Sequence, residues 1–181
     1  MLAFDLETTG LDPACHLITC AAAYDPDAGI SRVFIFERGD DPDEFMRLLD
    51  AADRLCAFNG ASFDIPFIQS QLGATAERVR GWRLKLHDVY VACRWGLGIT
   101  FPLQALLERN HLDGKTGSGK QAIALYQQGR WAELGDYCMH DTRMTHHVSS
   151  LSSIALPRAR GVVLSRGGEF LVSTGVERGG I

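Results

Sequence analysis

Two carboxylates lie inside an apolar stretch near the start of the sequence, MLAFDLETTG. In a β-strand successive side chains alternate between the two faces, so Asp5 and Glu7 would share one face while Phe4 and Leu6 share the other. Neighbouring carboxylates in apolar surroundings repel each other and lose hydration unless a cation neutralises them. The spacing therefore indicates a metal ion, and the alternative is a strand end whose acids face water.

Two further segments carry polar residues that could join Asp5 and Glu7. In FNGASFDIPFI, Asp64 stands between Phe63 and Ile65 and precedes an apolar stretch, so we expect a partly buried acid beside the sheet. In YCMHDTRMT, Tyr137 and Asp141 are four residues apart. On a helix this spacing puts a phenol and a carboxylate on the same face, one turn apart, so both would face the same cleft.

The elements that must position these residues follow from periodicity and turn residues. Apolar runs bounded by turns predict five strands, the last of them a strand or a strand-to-helix junction: MLAFDL, LITCAAAY, SRVFIFE, RLCAFNG and LKLHDVYVACR. Helical spacing predicts helices over DPDEFMRLLDAAD, FDIPFIQSQLG, PLQALLERNHL, KQAIALYQQGRW and WAELGDYCMHDTRMTHHVSSL. This order is typical of an α/β fold in which helices cover a mixed sheet.

Length and composition favour one main domain, residues 1–156, followed by a C-terminal segment, residues 157–181, of different composition. The chain has 181 residues, of which 46% are apolar, and this is enough for a substantial core. The C-terminal segment is rich in arginine and glycine and has two β-prone runs around Gly167 and Gly168. We expect it to form a tail or a hairpin.

Charge and cysteine spacing narrow the class of protein. A formal charge of −4 argues against a strongly basic surface that grips long nucleic acid, so a nucleic-acid partner would be held locally. The sequence shows neither a membrane-span pattern nor a signal or transit peptide, which predicts a soluble intracellular protein, cytoplasmic or nuclear. Five cysteines without CxxC spacing indicate neither a disulfide framework nor a zinc site.

Taken together, the segments FDLETTG, NGASFDIPFI and YCMHD resemble the three exonuclease motifs of the DEDD superfamily of 3′-to-5′ exonucleases. They occur in the family's order and extend from the first residues to about Thr145. Tyr137 lies four residues before the last aspartate, and Asp136 stands where the related subfamily has a histidine. The sequence is therefore similar to the tyrosine (DEDDy) subfamily, which includes the exonuclease domains of B-family DNA polymerases and stand-alone exonucleases built on the same domain.

This resemblance implies a ribonuclease H-like fold, with a mixed five-stranded sheet flanked by helices. The expected ligands of two divalent cations, Mg²⁺ or Mn²⁺, are four acids: Asp5, Glu7, Asp64 and Asp141. Carboxylate oxygens suit these hard ions, which independently supports the assignment. Tyr137 would orient the attacking water as a neutral phenol. The expected reaction is hydrolysis of phosphodiester bonds from the 3′ end of nucleic acid, with release of nucleoside 5′-monophosphates.

Residues that could hold the substrate have structural alternatives. The resemblance implies that Asn59 helps to hold the terminal nucleotide and that Phe63 is a weaker stacking candidate, but Asn59 could form a turn and Phe63 could pack in the core. GKTGSGKQ imitates a phosphate-binding P-loop, yet it has Gln121 where that loop has a hydroxyl residue and it follows a helix. Lys115 and Lys120 would touch substrate phosphates or belong to a solvated helix connector.

Two further signals favour a structural interpretation. His140, His146 and His147 lie near Asp141, but histidines clustered on a late helix are more often solvated or structural than metal ligands. Asp88 in LKLHDVY is expected to cap or to hydrogen-bond locally, because four acids already complete the predicted metal site.

Single-stranded 3′ ends are the expected substrate, because only a frayed terminus can thread into a carboxylate-lined pocket. DNA is favoured over RNA, although the sequence does not identify a residue that senses the 2′-hydroxyl. The alternatives are an RNA-directed 3′-to-5′ exoribonuclease and a catalytically silent nucleic-acid-binding module, which would lack a ligand that this sequence retains. A polymerase or repair protein is a candidate partner, no membrane is expected, and the oligomeric state is not indicated.

Overall fold

The computed structural model describes residues 1–98, 100–114, 117–157, 161–166 and 169–174. Five strands form the main sheet: β1 (Leu2–Thr8), β2 (Ile18–Asp25), β3 (Ile30–Phe34), β4 (Leu55–Ala57) and β5 (Leu86–Asp88). Their order is β3-β2-β1-β4-β5. The α/β fold with a mixed five-stranded sheet, expected from the sequence, is confirmed.

The sheet is mixed because two kinds of connection build it. Short turn-rich segments join β1 to β2 and β2 to β3, and both pairs are antiparallel. Longer connections that contain helices lead to β4 and β5, and these two strands extend the sheet in parallel with β1. The strand that carries Asp5 and Glu7 is therefore the central one, with neighbours on both sides.

Seven helices are described: α1 (Pro42–Ala51), α2 (Asp64–Gln71), α3 (Ala76–Lys85), α4 (Val89–Leu97), α5 (Leu103–Arg109), α6 (Gly119–Gln127) and α7 (Trp131–Ser149). On one face of the sheet, Phe4 and Leu6 belong to a buried core with residues of α1, α2 and α3. On the other face, Cys20 and Ala22 of β2 pack with residues of α6 and α7. The two carboxylates of β1 face this second layer.

Two local differences from the sequence-based prediction have physical reasons, and one of two predicted alternatives is realised. α3 was not predicted, and Thr75 caps its start by accepting a hydrogen bond from the Arg78 N–H. LKLHDVYVACR forms the strand-to-helix junction between β5 and α4. α6 ends at Gln127, before the end of the predicted segment, because Gly129 has a φ of 67° and turns the chain into α7.

The C-terminal part contributes a second, three-stranded antiparallel sheet. Its strands are β6 (Ser153–Ala155), β7 (Gly161–Arg166) and β8 (Glu169–Thr174), in the order β6-β7-β8. β7 and β8 form a hairpin, and β6, which precedes the expected boundary at residue 156, pairs with β7. The division into 1–156 and 157–181 stays a prediction.

Within the described ranges, no helix has both the length and the apolar character that crossing a membrane requires.

Gly60 lies in the loop between β4 and α2, where a side chain would disturb the part of the chain that leads to Asp64. A Cβ at Gly60 would lie 2.5 Å from the Ala57 Cβ, which is attached directly to the backbone of β4. We expect Gly60→Ala to lower the free energy of unfolding by about 1–3 kcal/mol, because the loop or the strand must shift. Urea unfolding followed by circular dichroism measures this change.

Gly81→Ala is the matched control, because a Cβ at Gly81 in α3 meets no atom within 4 Å. Alanine favours the helix over glycine, so this variant should gain about 0.5–1 kcal/mol. Equal stability of the two variants would contradict the close packing of Gly60.

Candidate metal centre

Asp5 and Glu7 lie on the same face of β1, as the alternation of a strand predicts. Asp5 is paired with Ala22 and Glu7 with Cys20 on β2, and the register then shifts between Glu7 and Thr8. A carboxylate oxygen of Asp5, one of Glu7 and the Sγ of Cys138 all lie within 4.8 Å of one another. The two carboxylates therefore lie close together, next to Cys138 of α7.

Asp64 reaches the same region from the first turn of α2. The pairing of β1 with β4 ends at Ala3 and Cys56, and further along β1 the Leu6 N–H donates to the Asp64 Oδ1 at 2.9 Å. Only 2% of Asp64 is exposed. Burial raises the pKa of Asp64 to about 7, with a smaller contribution from the Asp88 carboxylate. A cation beside this carboxylate would favour its charged form.

Asp88 holds the loop that leads to Asp64. Its Oδ1 accepts hydrogen bonds from the N–H groups of Asn59 and Val91, and its Oδ2 accepts one from Ala61. Burial raises the pKa of Asp88, and these N–H donors oppose the rise. The bond to Val91 also caps α4. The local hydrogen-bonding role expected for Asp88 is confirmed.

Tyr137 and Asp141 are one turn apart on α7, which packs across the sheet. Both are buried, and Asp141 is only 1% exposed. Cys138, between them, donates its S–H to the Asp5 carbonyl oxygen at 3.7 Å and so joins α7 to β1. Burial first, and then the neighbouring Cys20, raises the pKa of the Cys138 thiol well above its usual value.

An open cleft of about 640 Å³ lies over Asp5 and Glu7. Its lining combines acids, a phenol, a lysine and apolar side chains: Asp5, Leu6, Glu7, Thr8, Gly10, Leu11, Phe58, Phe63, Asp64, Ser118, Gly119, Lys120, Ile123 and Tyr137. Three of the four predicted acids and the predicted tyrosine thus share one cavity. Asp141, in α7, is buried and is not among the described residues that line the cleft.

The substrate residues predicted from the sequence separate into three groups. Phe63 and Lys120 line the cleft, although Phe63 also packs against Phe67, with ring centroids 5.0 Å apart. Asn59 is outside the lining, and its φ of 67° and its N–H bond to Asp88 are those of a turn residue. Lys115 lies outside the described residues.

Several cleft residues were not predicted from the sequence. Phe58 stands directly before Asn59 in the second motif, and Leu11, which is 84% exposed, follows the first motif. Their closeness to the motifs is the only signal that the sequence offers. Cys138 is one of five cysteines without CxxC spacing, and its position beside Asp5 and Glu7 depends on the packing of α7 against β1.

Two of the clustered histidines have structural contacts. A ring nitrogen of His140 lies 2.9 Å from the Gly114 carbonyl oxygen. His146 packs edge-on against Tyr24, with centroids 5.3 Å apart, and burial lowers its pKa. These contacts favour the structural interpretation of both histidines.

The donor set fits a divalent cation. Carboxylates held close together in a largely buried site are costly without a compensating positive charge. Oxygen donors are the ligands that Mg²⁺, Mn²⁺ and Ca²⁺ prefer, and the cleft gives a ligand access to Asp5, Glu7 and Asp64. The arrangement can hold a cation and a phosphate group side by side.

The family model described as the RNase_H superfamily (RNase_H_2) matches residues 2–154. No curated protein sequence matches the chain significantly.

Among solved structures, the chain is similar to the family B DNA polymerase from the hyperthermophilic archaeon Pyrobaculum calidifontis, with a TM-score of 0.63 and 18% identity over 80% of this chain and 23% of the polymerase. It is also similar to E. coli Exonuclease I in complex with a 5cy-dT13 oligonucleotide, with a TM-score of 0.40 and 15% identity over 75% of this chain and 41% of that chain. The chain therefore spans less than half the length of either protein, and the likeness to the polymerase shows the fold alone.

The raised pKa of Asp64 predicts a pH-dependent stability. Its pKa is about 7 in the folded chain and near 3.8 ordinarily, so its contribution lowers stability progressively as the pH rises from about 4 to 7. In metal-free buffer at pH 8, we expect Asp64→Asn to unfold with a free energy roughly 2–4 kcal/mol higher than the unmodified protein. The difference should shrink as the pH falls toward 4, where both side chains are neutral.

Urea unfolding at several pH values measures this difference, and Asp136→Asn, which makes the same change at an exposed position of α7, is the matched control. A divalent cation should stabilise the unmodified protein more than Asp64→Asn. If the unmodified protein were as stable as Asp64→Asn at pH 8, the Asp64 carboxylate would not be a buried charge without compensation, and the prediction would be wrong.

Proposed function

Because the chain belongs to the RNase H superfamily, we propose that it is a metal-dependent 3′-to-5′ exonuclease of the DEDD type, in its tyrosine (DEDDy) subfamily. It hydrolyses phosphodiester bonds from the 3′ end of nucleic acid and releases nucleoside 5′-monophosphates. The observation that carries the proposal is the meeting of Asp5, Glu7, Asp64 and Tyr137 in one cleft. These residues come from three separate elements of the fold.

In this proposal the cation ligands are Asp5, Glu7, Asp64 and Asp141. Two divalent cations, Mg²⁺ or Mn²⁺, would supply the positive charge that neutralises the carboxylates and stabilises charge developing on the phosphate. The chain holds the ligands in place before any ion binds. Asp64 is anchored by the Leu6 N–H, and its loop is fixed by Asp88.

The remaining cleft residues bind and orient the substrate. The Tyr137 hydroxyl positions the attacking water through a hydrogen bond, since an ordinary phenol stays protonated at neutral pH. Phe58 and Phe63 offer aromatic surface to a terminal base, and Lys120 offers a positive charge to a phosphate. Asn59 contributes indirectly, because it begins the loop that leads to Asp64.

The size of the cleft supports a terminal substrate. A cavity of about 640 Å³ is in the range of pockets that enclose small ligands, so it accommodates a terminal nucleotide rather than a duplex. Single-stranded DNA is the proposed substrate, held locally because the chain has a formal charge of −4. The rates of hydrolysis of DNA and RNA oligonucleotides with the same base sequence distinguish this proposal from an RNA-directed exoribonuclease.

The function is tested with 5′-end-labelled single-stranded oligonucleotides in the presence of Mg²⁺ or Mn²⁺. The expected result is a ladder of progressively shorter labelled products, because nucleotides leave from the 3′ end. Asp5→Asn and Asp64→Asn should each lower the rate about 100-fold or more, since each removes a ligand charge next to the reacting phosphate. Asp136→Asn, the exposed acid of α7, should stay within about twofold of the unmodified protein.

Full-length oligonucleotide remaining with both ions would contradict the proposal. Immediate release of the labelled terminal nucleotide would contradict the direction of cleavage. Equal rates for Asp5→Asn and the unmodified protein would show that the activity does not arise from this cleft.

Tyr137→Phe removes one hydroxyl from the cleft and leaves the ring in place. We expect the turnover rate to fall about 10-fold or more, with little change in the substrate concentration for half-maximal rate, because the hydroxyl orients water rather than binding nucleic acid. Tyr126→Phe is the matched control, since its hydroxyl donates to Glu37 at 2.7 Å, away from the cleft. An unchanged turnover rate in Tyr137→Phe would show that the hydroxyl does not orient the attacking water.

A further inference from the structure

Gln71, the last residue of α2, holds the loop that joins β1 to β2. Its Oε1 accepts a hydrogen bond from the Ile18 N–H at 2.9 Å. Its Nε2 donates to the carbonyl oxygen of His16 and, at 3.4 Å, to that of Pro13. The neighbouring Ser70 hydroxyl also donates to the Pro13 carbonyl oxygen, at 3.3 Å. The Gln71 side chain therefore bonds two residues of this loop and the first residue of β2.

This loop forms one wall of the cleft. Gly10 and Leu11 are in the cleft lining, and 84% of Leu11 is exposed. The ring of His16 packs behind Gly10, where an added Cβ would clash with it. The Nδ1 of the same ring lies 3.3 Å from the backbone nitrogen of Asp12, so the ring contacts the loop on both sides of Leu11. Because Gln71 holds the His16 carbonyl oxygen, its contacts reach the wall through His16.

α2 fixes this wall relative to the candidate metal ligands. Asp64 and Gln71 are the first and last residues of the helix, so they project from the same side of it, two turns apart. Asp64 is bonded to the Leu6 N–H of β1, and Gln71 is bonded to the Ile18 N–H of β2. The helix is therefore tied to the sheet at both ends by polar side chains. Loss of the Gln71 bonds would loosen the wall and leave the bond of Asp64 in place.

We propose that Gln71 is a positioning residue for the nucleic-acid substrate. By holding the loop between β1 and β2, it sets the wall that Gly10 and Leu11 present to the terminal nucleotide. A loosened wall gives weaker contact both before and during the reaction, so loss of the Gln71 bonds weakens binding and leaves turnover almost unchanged. The inference rests on the proposed function for its substrate, whereas the anchoring of the loop does not depend on any activity.

Gln71→Met tests this role, because methionine keeps the length of the side chain and loses all of its hydrogen bonds. With single-stranded DNA and Mn²⁺, we expect KM to rise about 5-fold or more while kcat stays within about twofold of the unmodified protein. A fall in kcat with an unchanged KM would overturn the proposal, and so would unchanged values of both constants.

Asn110→Leu is the matched control, because the Asn110 amide also ties two segments together. Its Nδ2 donates to the carbonyl oxygens of Leu106 and Ala155, at 2.7 and 2.9 Å, and its Oδ1 accepts from the Ala155 N–H at 2.8 Å. Asn110 is not among the described residues that line the cleft. This variant should lose stability and keep both kinetic constants. An equal rise of KM in Asn110→Leu and Gln71→Met would show that KM follows stability alone and would overturn the proposal.

Leu11→Ala tests whether Gln71 acts through the wall. This variant should also raise KM, because it removes most of an exposed side chain from the cleft lining. If Gln71 acts by placing the wall, the rise of KM in the Gln71→Met/Leu11→Ala double variant will be well below the product of the two single rises. A rise equal to that product would show that the two residues act independently and would overturn the proposal.

Hydrogen exchange followed by mass spectrometry measures the anchoring of the loop without any activity. In Gln71→Met, the backbone amides of residues 9–18 should exchange about 10-fold faster or more than in the unmodified protein, and in Asn110→Leu they should not change. Gln71→Glu keeps an acceptor for the Ile18 N–H and loses both donors, so it should show smaller increases in exchange and in KM. It decides the question if circular dichroism shows that Gln71→Met does not fold. Unchanged exchange in the folded variant would overturn the anchoring role.

Oligonucleotide binding separates this proposal from the proposed function. Fluorescence anisotropy of a labelled single-stranded DNA gives the Kd of Asp5→Asn, which should hydrolyse it only slowly, and of Asp5→Asn/Gln71→Met. We expect a Kd about 5-fold or more higher in the double variant. Equal Kd values, or no binding by either protein, would overturn the positioning role. Binding that depends on Gln71, with no hydrolysis by the unmodified protein in Mg²⁺ or Mn²⁺, would refute the proposed function and leave the positioning role standing.

Discussion

The pairing of β1 with β4 ends at Ala3, and the buried carboxylate of Asp64 takes up the Leu6 N–H at 2.9 Å. This hydrogen bond joins the first turn of α2 to the central strand, at a point between Asp5 and Glu7. The loop before it is held by Asp88, which accepts three backbone N–H groups. Asp64 of α2 therefore meets the acids of β1, because this hydrogen bond takes the place of the next backbone pairing between β1 and β4.

The same contact has an electrostatic consequence. A buried carboxylate resists ionisation, and the pKa of Asp64 rises to about 7 while two further carboxylates lie on the neighbouring strand. The fold thus keeps like charges together in a place where water cannot fully compensate them. Such an arrangement favours a cation, and the kind of cation depends on the donors beside the acids. The donors that reach the cleft from β1 and α2 are carboxylate oxygens, which suit hard ions.

Much of this could be predicted from the sequence, for reasons that differ between residues. The shared face of Asp5 and Glu7 follows from strand alternation alone, and the one-turn spacing of Tyr137 and Asp141 follows from helix geometry. The meeting of these segments with Asp64 is a matter of tertiary packing, and only the resemblance to a family pointed to it. Cys138 and Phe58 could not be recognised, because neither a spacing nor a residue type distinguishes them before α7 and the loop after β4 are placed. The sequence left Asn59 open as a substrate residue or a turn former, and its left-handed backbone and its N–H bond to Asp88 support the turn role.

The central claim is that the acids around the cleft hold divalent cations next to the 3′ end of a nucleic acid. The most direct measurement is a crystal structure of the protein with Mn²⁺ and a nucleoside 5′-monophosphate, in which anomalous scattering locates the manganese. The account predicts anomalous peaks in contact with Asp5, Glu7 and Asp64, with the phosphate against them and the base toward Phe58 and Phe63. A nucleotide bound elsewhere, or acids without an anomalous peak at saturating Mn²⁺, would contradict it.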